Sequence, residues 1–573
     1  LSGQDALIED VFMTDRPLLP PPTALQYWRG LGFWNYYFLT KFVLVWQGLL
    51  NFHALENLAF AAFLLVPLPP VWLHRLRHVV AIPIGVSLYL YDTWLPPVSR
   101  LFAQSAEISA FSFDYILELV GRFINTSWLA AGLVLLVGYL FFSQWIRFTA
   151  VTVVALVAIL IAGQTTFWRS SNPAAGPTLV DVPTTAVQPG GQATPVPRPV
   201  AGGTVEPTDA NLNATLSDFY THQSTLVSQF PPALGSDAAP FDVLILNICS
   251  LAWDDMEDVG LSQHPLWNKM DVLFDDFNSA ATYSGPAVLR LLRASCGQLP
   301  NAGLYQPASK QCFLFENLKQ LGFDEAMVMN HTGRFDNLIG QVKDNGDMQA
   351  TLFPFEDLRP VMTGFDGSPI YRDGQVLSKW WQQRLDNASA REAMFYNTIS
   401  LHDGNRVIDP TSGKTVTAEY KPRLQNVLDD LSGFIDRLQA SGKPVLLVIV
   451  SEHGAALRGD LMQIKGMREI PSPTVTHIPA GVKLINAKAT LSGAPVHIRT
   501  PASYFALSEL INHLVDGAAW KNPNFDLNAV ITSLPQLDHV VAENEGSVMM
   551  RFNSTHYLRL DGKSWIKYPE RGK

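Results

Sequence analysis

Four side chains able to hold a transition metal stand where apolar runs stop. Cys249 closes FDVLILNIC, Glu452 and His453 follow PVLLVIVS, and Ser284 opens a helical pattern in TYSGPAVLRLLR. His402 lies just past another such run, FYNTISL. In an open α/β sheet, ligands collect in the crevice beyond the carboxyl ends of the strands, so residues distant in sequence can converge there. Cys, Glu, His and Ser together can bind zinc, and the thiolate with the imidazole favours zinc over the hard cations magnesium and calcium. With Ser284 as a fourth ligand, its hydroxyl would be held as an alkoxide, a nucleophile suited to attack on phosphorus.

Taken singly, each signal has a plainer reading. A hydroxyl at the start of a helix faces unpaired backbone N–H groups and the positive end of the dipole, and Pro286 suits the first helical position. A serine there is more often an N-cap. Glu452-His453 cannot continue a buried strand, and Gly454 permits a sharp turn, but a surface pair is the competing reading. A lone Cys at a strand end is commonly a small buried apolar residue, and only the company of the other three argues for metal. His402, in SLHDGN, is a structural or loop histidine or else a group that contacts phosphate or transfers a proton. Arg468, in GMREIPSP, is a solvated charge or a clamp on a phosphate oxygen. Tyr283, His331 and His477 are weaker candidates of the same kind.

The elements that must position these groups are legible from residue 241 onward. DVLILNIC, EAMVMN, AMFYNTISL, PVLLVIVS and GVKLIN read as strands, and residues 310–321, 379–389, 421–441 and 503–515 as helices. Short continuous apolar runs separated by amphipathic helices predict an α/β domain with a mostly parallel sheet covered on both faces.

The 573 residues are 47% hydrophobic, and the N-terminal third is crowded with Leu, Phe, Trp and Val. Five apolar stretches, 33–51, 54–71, 79–95, 127–142 and 146–166, approach the roughly 20 residues of a spanning helix. Basic residues Arg16, Arg29, Arg75, Arg77 and Arg147 place the N-terminus in the cytoplasm and everything after Thr166 on the far side. Residues 99–123 read as an interfacial amphipathic helix or an ordinary loop. Three domains are expected: 1–167 transmembrane, 168–239 a Pro/Ala/Gly-rich linker with one helix near 210–230, and 240–573 catalytic. The net charge of −10 and the lack of a long basic run give no support to nucleic-acid binding. Of three cysteines, Cys296 and Cys312 flank a loop rich in Gly, Pro and Asn, a disulfide pair if this part lies outside the cytosol. That leaves Cys249 unpaired.

NICSLAWDD, FNSAATYSGPA, SLHDGN, VSEHGAAL and GMREIPSP resemble motifs of the cellulose phosphoethanolamine transferases, the G subunits of bacterial cellulose secretion systems. The N-terminal YWRGLGFWNYYFLTKFVLVWQGLLNFHALENLAFAAFLL is similar as well, so the likeness covers most of the chain. It is weakest in the first twenty residues and in the linker. The resemblance implies an inner-membrane protein of the alkaline phosphatase superfamily with a periplasmic α/β catalytic domain and zinc. It implies Ser284 as nucleophile, Cys249, Ser284, Glu452 and His453 as zinc ligands, and Tyr283, His402 and Arg468 at the substrate site. It further implies phosphatidylethanolamine as donor, cellulose as acceptor, and the bilayer and cellulose synthase subunits as partners. Related lipid A phosphoethanolamine transferases use a threonine nucleophile with Glu, Asp and His ligands, and this chain departs from them with Ser, Cys and Glu. Two other readings stay open: a lipid A or phosphoglycerol transferase on the same fold, and a membrane scaffold that recruits secretion subunits.

Overall fold

Five helices stand where the N-terminal apolar stretches were read: α1 (Trp34–Trp46), α2 (Ala54–Leu65), α3 (Val71–Asp92), α4 (Thr126–Phe142) and α5 (Phe148–Ser170). They come from a computed structural model that describes residues 30–47, 50, 52–68, 71–93, 115–116, 121, 126–170, 206–355, 357–491 and 493–569. The chain forms two compact units, residues 1–97 with 124–194 and residues 98–123 with 195–573. No helix among the described residues is long and apolar enough to cross a membrane. α1 and α2 have 13 and 12 residues, and α3 begins with the basic VWLHRLRH. Arg16, Arg29 and the Pro/Ala/Gly-rich core of the linker lie outside the described residues. So does most of 99–123, of which Tyr115 is described and packs its ring 5.6 Å from Phe365 in the second unit.

The helix expected near 210–230 forms as α6 (Asp209–Gln223), capped by Thr208, whose side chain accepts from Asn211 N–H. It is not a free element. Leu212, Leu216 and Phe219 are buried with Val541, Met550, Phe552 and Trp565 from the far end of the chain.

In the second unit the strands are β1 (Asp242–Ile248), β2 (Val272–Asn278), β3 (Asp324–Met329), β4 (Met362–Thr363), β5 (Pro369–Ile370), β6 (Glu392–Thr398), β7 (Arg406–Ile408), β8 (Thr415–Thr417), β9 (Val445–Ser451), β10 (His477–Ile485) and β11 (Val496–Ile498). The main sheet has the order β11-β2-β10-β9-β1-β6-β3. It is parallel except at β10, which runs against both neighbours. β4, β5, β7 and β8 make a small separate sheet. A third, antiparallel sheet follows: β12 (Val540–Asn544), β13 (Ser547–Phe552), β14 (Thr555–Leu560) and β15 (Ile566–Lys567).

Every residue of β1, β6 and β9 is buried, as expected of strands covered on both faces. Alternate β1 side chains serve opposite cores. Val243 and Ile245 join a cluster with Val288, Leu291 and Leu292 of α7 (Ser284–Leu292). Leu244, Leu246 and Ile248 join a cluster with Trp380 and Trp381 of α8 (Asp373–Asp386) and Leu428 of α9 (Tyr420–Ala440). The first cluster also takes in Leu507, Leu510 and Ile511 of α10 (Tyr504–Leu514). At the amino ends of the central strands, Arg384 donates to Asp242 at 2.7 Å and lies 3.2 Å from Glu392, all three shielded from solvent. This pairing fixes one end of the sheet and leaves the other for chemistry.

Candidate active site

Sheet register brings the predicted ligands together. Ile248 pairs with Thr398 on one side and Ser451 on the other, so Cys249 and Glu452 are the first residues past two adjacent strands. The chain then turns abruptly. Ser250 adopts a left-handed backbone (φ 61°), a conformation rare for a residue with a side chain, and Leu251 N–H donates to His453 O at 2.7 Å. Gly454 is required by crowding, since a Cβ there would lie 2.7 Å from Ala252 Cβ and 2.9 Å from Asp255 Oδ2.

Ser284 is the first residue of α7, and Tyr283 occupies the N-cap without a side-chain bond. Ser284 is therefore not the N-cap that its position alone favoured, and Pro286 is the third helical residue rather than the first. The hydroxyl is free to face the strand ends. Cys249 Sγ lies 3.4 Å from Ser284 Oγ and 3.9 Å from His453 Nε2, with Ser284 Oγ 3.5 Å from the same nitrogen. Glu452 Oε2 is 3.8 Å from His453 Nε2. Ligand atoms of Cys249, Glu452 and His453 all fall within 4.8 Å of one another, and the three residues are buried.

Burial governs the electrostatics. It pushes the Cys249 thiol up to about 12, aided by the neighbouring Glu452 carboxylate, and raises Glu452 itself. It drives His453 well below the ordinary imidazole range, with Arg468 adding to the effect. Glu452 Oε2, although buried, has no hydrogen-bond partner among the described residues. A thiol, an imidazole and an orphaned carboxylate oxygen held this close suit a zinc ion, whose charge would favour the thiolate and offset its desolvation and that of the carboxylate.

Residues outside the predicted set orient it. Asn397, at the end of β6, donates to Glu452 Oε1 at 2.5 Å and to Asn247 Oδ1 at 3.1 Å. Gly333 N–H donates to His331 Nδ1 at 3.1 Å, so the proton is on Nε2, which donates to Asn397 Oδ1 at 3.0 Å. His331 thus supports a carboxylate rather than meeting substrate, and burial lowers its pKa to about 4. Asp255 accepts from the N–H groups of Ala252, Ala455 and Leu457, tying the loop after β1 to the loop after β9. Asn247 and Asn397 sit inside apolar runs and Asp255 inside WDD, and these interruptions were the signal available in the sequence.

On the open side, Arg468 Nη1 lies 3.3 Å from Ser250 Oγ and 3.0 Å from His453 Nδ1, with its guanidinium 5.5 Å from the centre of the Tyr283 ring. His453 Nδ1 also lies 2.9 Å from Gly454 O. One ring nitrogen serves only one of these contacts, and ligation through Nε2 would select Nδ1–H donating to Gly454 O. Tyr283 donates its hydroxyl to Glu469 at 2.6 Å. His402, half-buried against Phe365, has Nδ1 2.7 Å from Asp403 O, an N–H donation that leaves Nε2 as an acceptor. Burial, and then Arg468, lowers its pKa to about 4. His477 is turned away and donates to Asp275 O at 2.7 Å. Cys296 and Cys312 are joined in a disulfide and Cys249 is free.

Residues 200–565 match the family described as the cellulose biosynthesis protein BcsG C-terminal domain, and residues 34–161 match its N-terminal domain. Cellulose biosynthesis protein BcsG of Escherichia coli (strain K12) is 45% identical over 554 residues, 96% of this chain and 98% of that protein. Among solved structures, a protein in the alkaline phosphatase superfamily from Vibrio parahaemolyticus aligns with a TM-score of 0.43 and 14% identity, covering 62% of this chain and 87% of that one. The C-terminal periplasmic domain of EcEptC from Escherichia coli, in complex with Zn, aligns with a TM-score of 0.39 and 13% identity, covering 56% and 93%. Structural likeness at this level carries no chemical argument.

Proposed function

The chain belongs to the BcsG family of cellulose biosynthesis proteins, and from that premise we propose that it transfers phosphoethanolamine from phosphatidylethanolamine to glucose 6-hydroxyls of secreted cellulose. The observation that carries this reading is the approach of Ser284 Oγ to Cys249 and His453, beside Glu452, at the carboxyl end of the sheet. Cys249, Ser284, Glu452 and His453 would hold zinc, which supplies stabilisation of the serine alkoxide and screening of the phosphoryl oxygens.

In the first half-reaction Ser284 Oγ bonds to phosphorus, the bond from phosphorus to the diacylglycerol oxygen breaks, and the serine proton ends on that oxygen. In the second, a glucose O6 bonds to phosphorus, the Ser284 ester breaks, and Oγ recovers a proton. The unpaired N–H groups of the first turn of α7 suit an anionic phosphoryl group next to the nucleophile. His402 is neutral near pH 7 and keeps an acceptor nitrogen, which suits proton transfer from the sugar hydroxyl. Arg468 supplies positive charge, and its stacking on Tyr283 limits its freedom to move.

In this reading residues 1–167 anchor the chain in the bacterial inner membrane with about five spans, 168–239 form a tether, and 240–573 work in the periplasm within an alkaline-phosphatase-like fold. The anchor reading is supported by an inverted surface: Trp46, Trp72, Val79, Val134 and Val154 are exposed, while Lys41, Asn57 and Asp92 are buried. The test is to supply phosphatidylethanolamine vesicles to the full chain and withhold cellulose. A Ser284 peptide heavier by one phosphoethanolamine, with released diacylglycerol, is expected. Transfer retained in Ser284→Ala, or a label on another residue, would overturn the mechanism.

A further inference from the structure

α7 carries a second chemistry-bearing side chain at its other end. Arg290, in the last turn and about 9 Å along the axis from Ser284, is 5% exposed. Its Nη1 donates to Leu299 O at 2.7 Å, but Nε and Nη2 have no partner among the described residues. Arg293, equally buried, satisfies its Nε and Nη1 with the carbonyls of Asn345, Gly303 and Gln306. Arg290 and Arg293 both line a cavity of about 290 Å³, whose other walls include Leu226, Leu304, Phe505 and Gln298. Gln298 Oε1 is also buried without a partner.

Two buried cations without an ion-paired carboxylate are costly unless an anion joins them, since each charge has been taken out of water. The carboxylate that acts on Arg290 is Glu543, which stays beyond ion-pair distance and has Oε2 engaged by Asn301 N–H at 2.6 Å. The balance of Arg290, Arg293 and Glu543 leaves one positive charge, which favours a monoanion over a dianion. The free Nε–H and Nη2–H of a guanidinium form a fork that matches two oxygens of one oxyanion. Apolar walls add room for a small hydrocarbon or sugar body beside it.

We propose that this cavity is a binding site for a monoanionic oxyanion, a phosphodiester or a carboxylate, held by Arg290 and separate from the centre at Ser284. The proposal stands independently of the transferase reading. It is tested by calorimetric titration of the full chain with diethyl phosphate and, separately, with butyrate. Saturable binding of either supports the site, and the preferred probe assigns the anion's class. Arg290→Met should weaken that binding at least tenfold, and Ser284→Ala should leave it unchanged. Ala308→Trp, which adds bulk at a half-exposed wall of the cavity and removes neither arginine, should block it and decides the matter if Arg290→Met does not fold. Absence of saturation with both probes would mean that solvent alone serves the guanidinium and would overturn the proposal. So would binding that survives Arg290→Met, or binding lost in Ser284→Ala.

Discussion

Single side chains around Glu452 separate holding the site from performing the reaction. Asn397 holds one carboxylate oxygen, leaving Oε2 toward Cys249 and His453. Removing such an orienting bond typically lowers metal affinity by about 10- to 100-fold. Asn397→Leu should therefore lose zinc to a chelator in that range, measured by competition. His402→Ala, in contrast, should keep zinc and slow transfer by about 100-fold or more, measured as turnover on a soluble glucan. His331 gives a pH signature. Its native pKa of about 4 lies below the unfolded value near 6.5, so the unfolded state binds more protons between those values. Its contribution is complete above about pH 6.5 and is lost as pH falls toward 4, by up to about 3 kcal/mol. Thermal unfolding between pH 7 and 4 should show this loss, and His331→Gln should flatten it.

Whole elements explain which parts of the fold could be read from the sequence. Central strands β1, β6 and β9 are continuous apolar runs and announced themselves, and with them the positions of Cys249, Glu452 and His402. β2 escaped because Asp275 and Asp276 interrupt it, and their carboxylates are met by His497 and Arg551 from distant segments, which no local pattern reveals. β12–β15 escaped because VVAEN, SVMMRF and THYLRL are short and show neither a long apolar run nor a regular alternation. Asn397 was hidden within a run read as plain strand, although its amide is central to the site. The amino ends of the strands give a stability test. Arg384→Ala leaves Asp242 and Glu392 buried with only Lys443, 4.0 Å from Asp242, as a nearby cation, and should destabilise the second unit by about 3 kcal/mol, read from its denaturation midpoint. The Cys296–Cys312 bridge closes a short loop, and its replacement by alanines should cost about 3 kcal/mol in the loop-entropy picture, read the same way.

At the scale of the molecule, a change of composition near residue 170 was read as the start of a linker running to 239, whereas the units divide at 194/195 and residues 98–123 belong with the second; the partner of α6 was hidden because it lies more than 300 residues further along. Limited proteolysis of intact spheroplasts should cut within residues 171–205 and release a fragment containing α6 and everything after it, if the second unit is periplasmic. Protection of that region outside the cell, with cutting only after lysis, would reverse the topology. α6 comes early in the 195–573 segment of the second unit and is bolted to β12–β15 by Leu212, Leu216 and Phe219. A load on the chain ahead of α6 is therefore met by the last strands of the chain before it reaches β1, which begins only at Asp242 and is followed by Cys249. At this entry the arrangement works as a strain relief: what tugs on the chain ahead of α6 is held by the third sheet, and the spacing of Ser284, Cys249, Glu452 and His453 is not the first thing loaded.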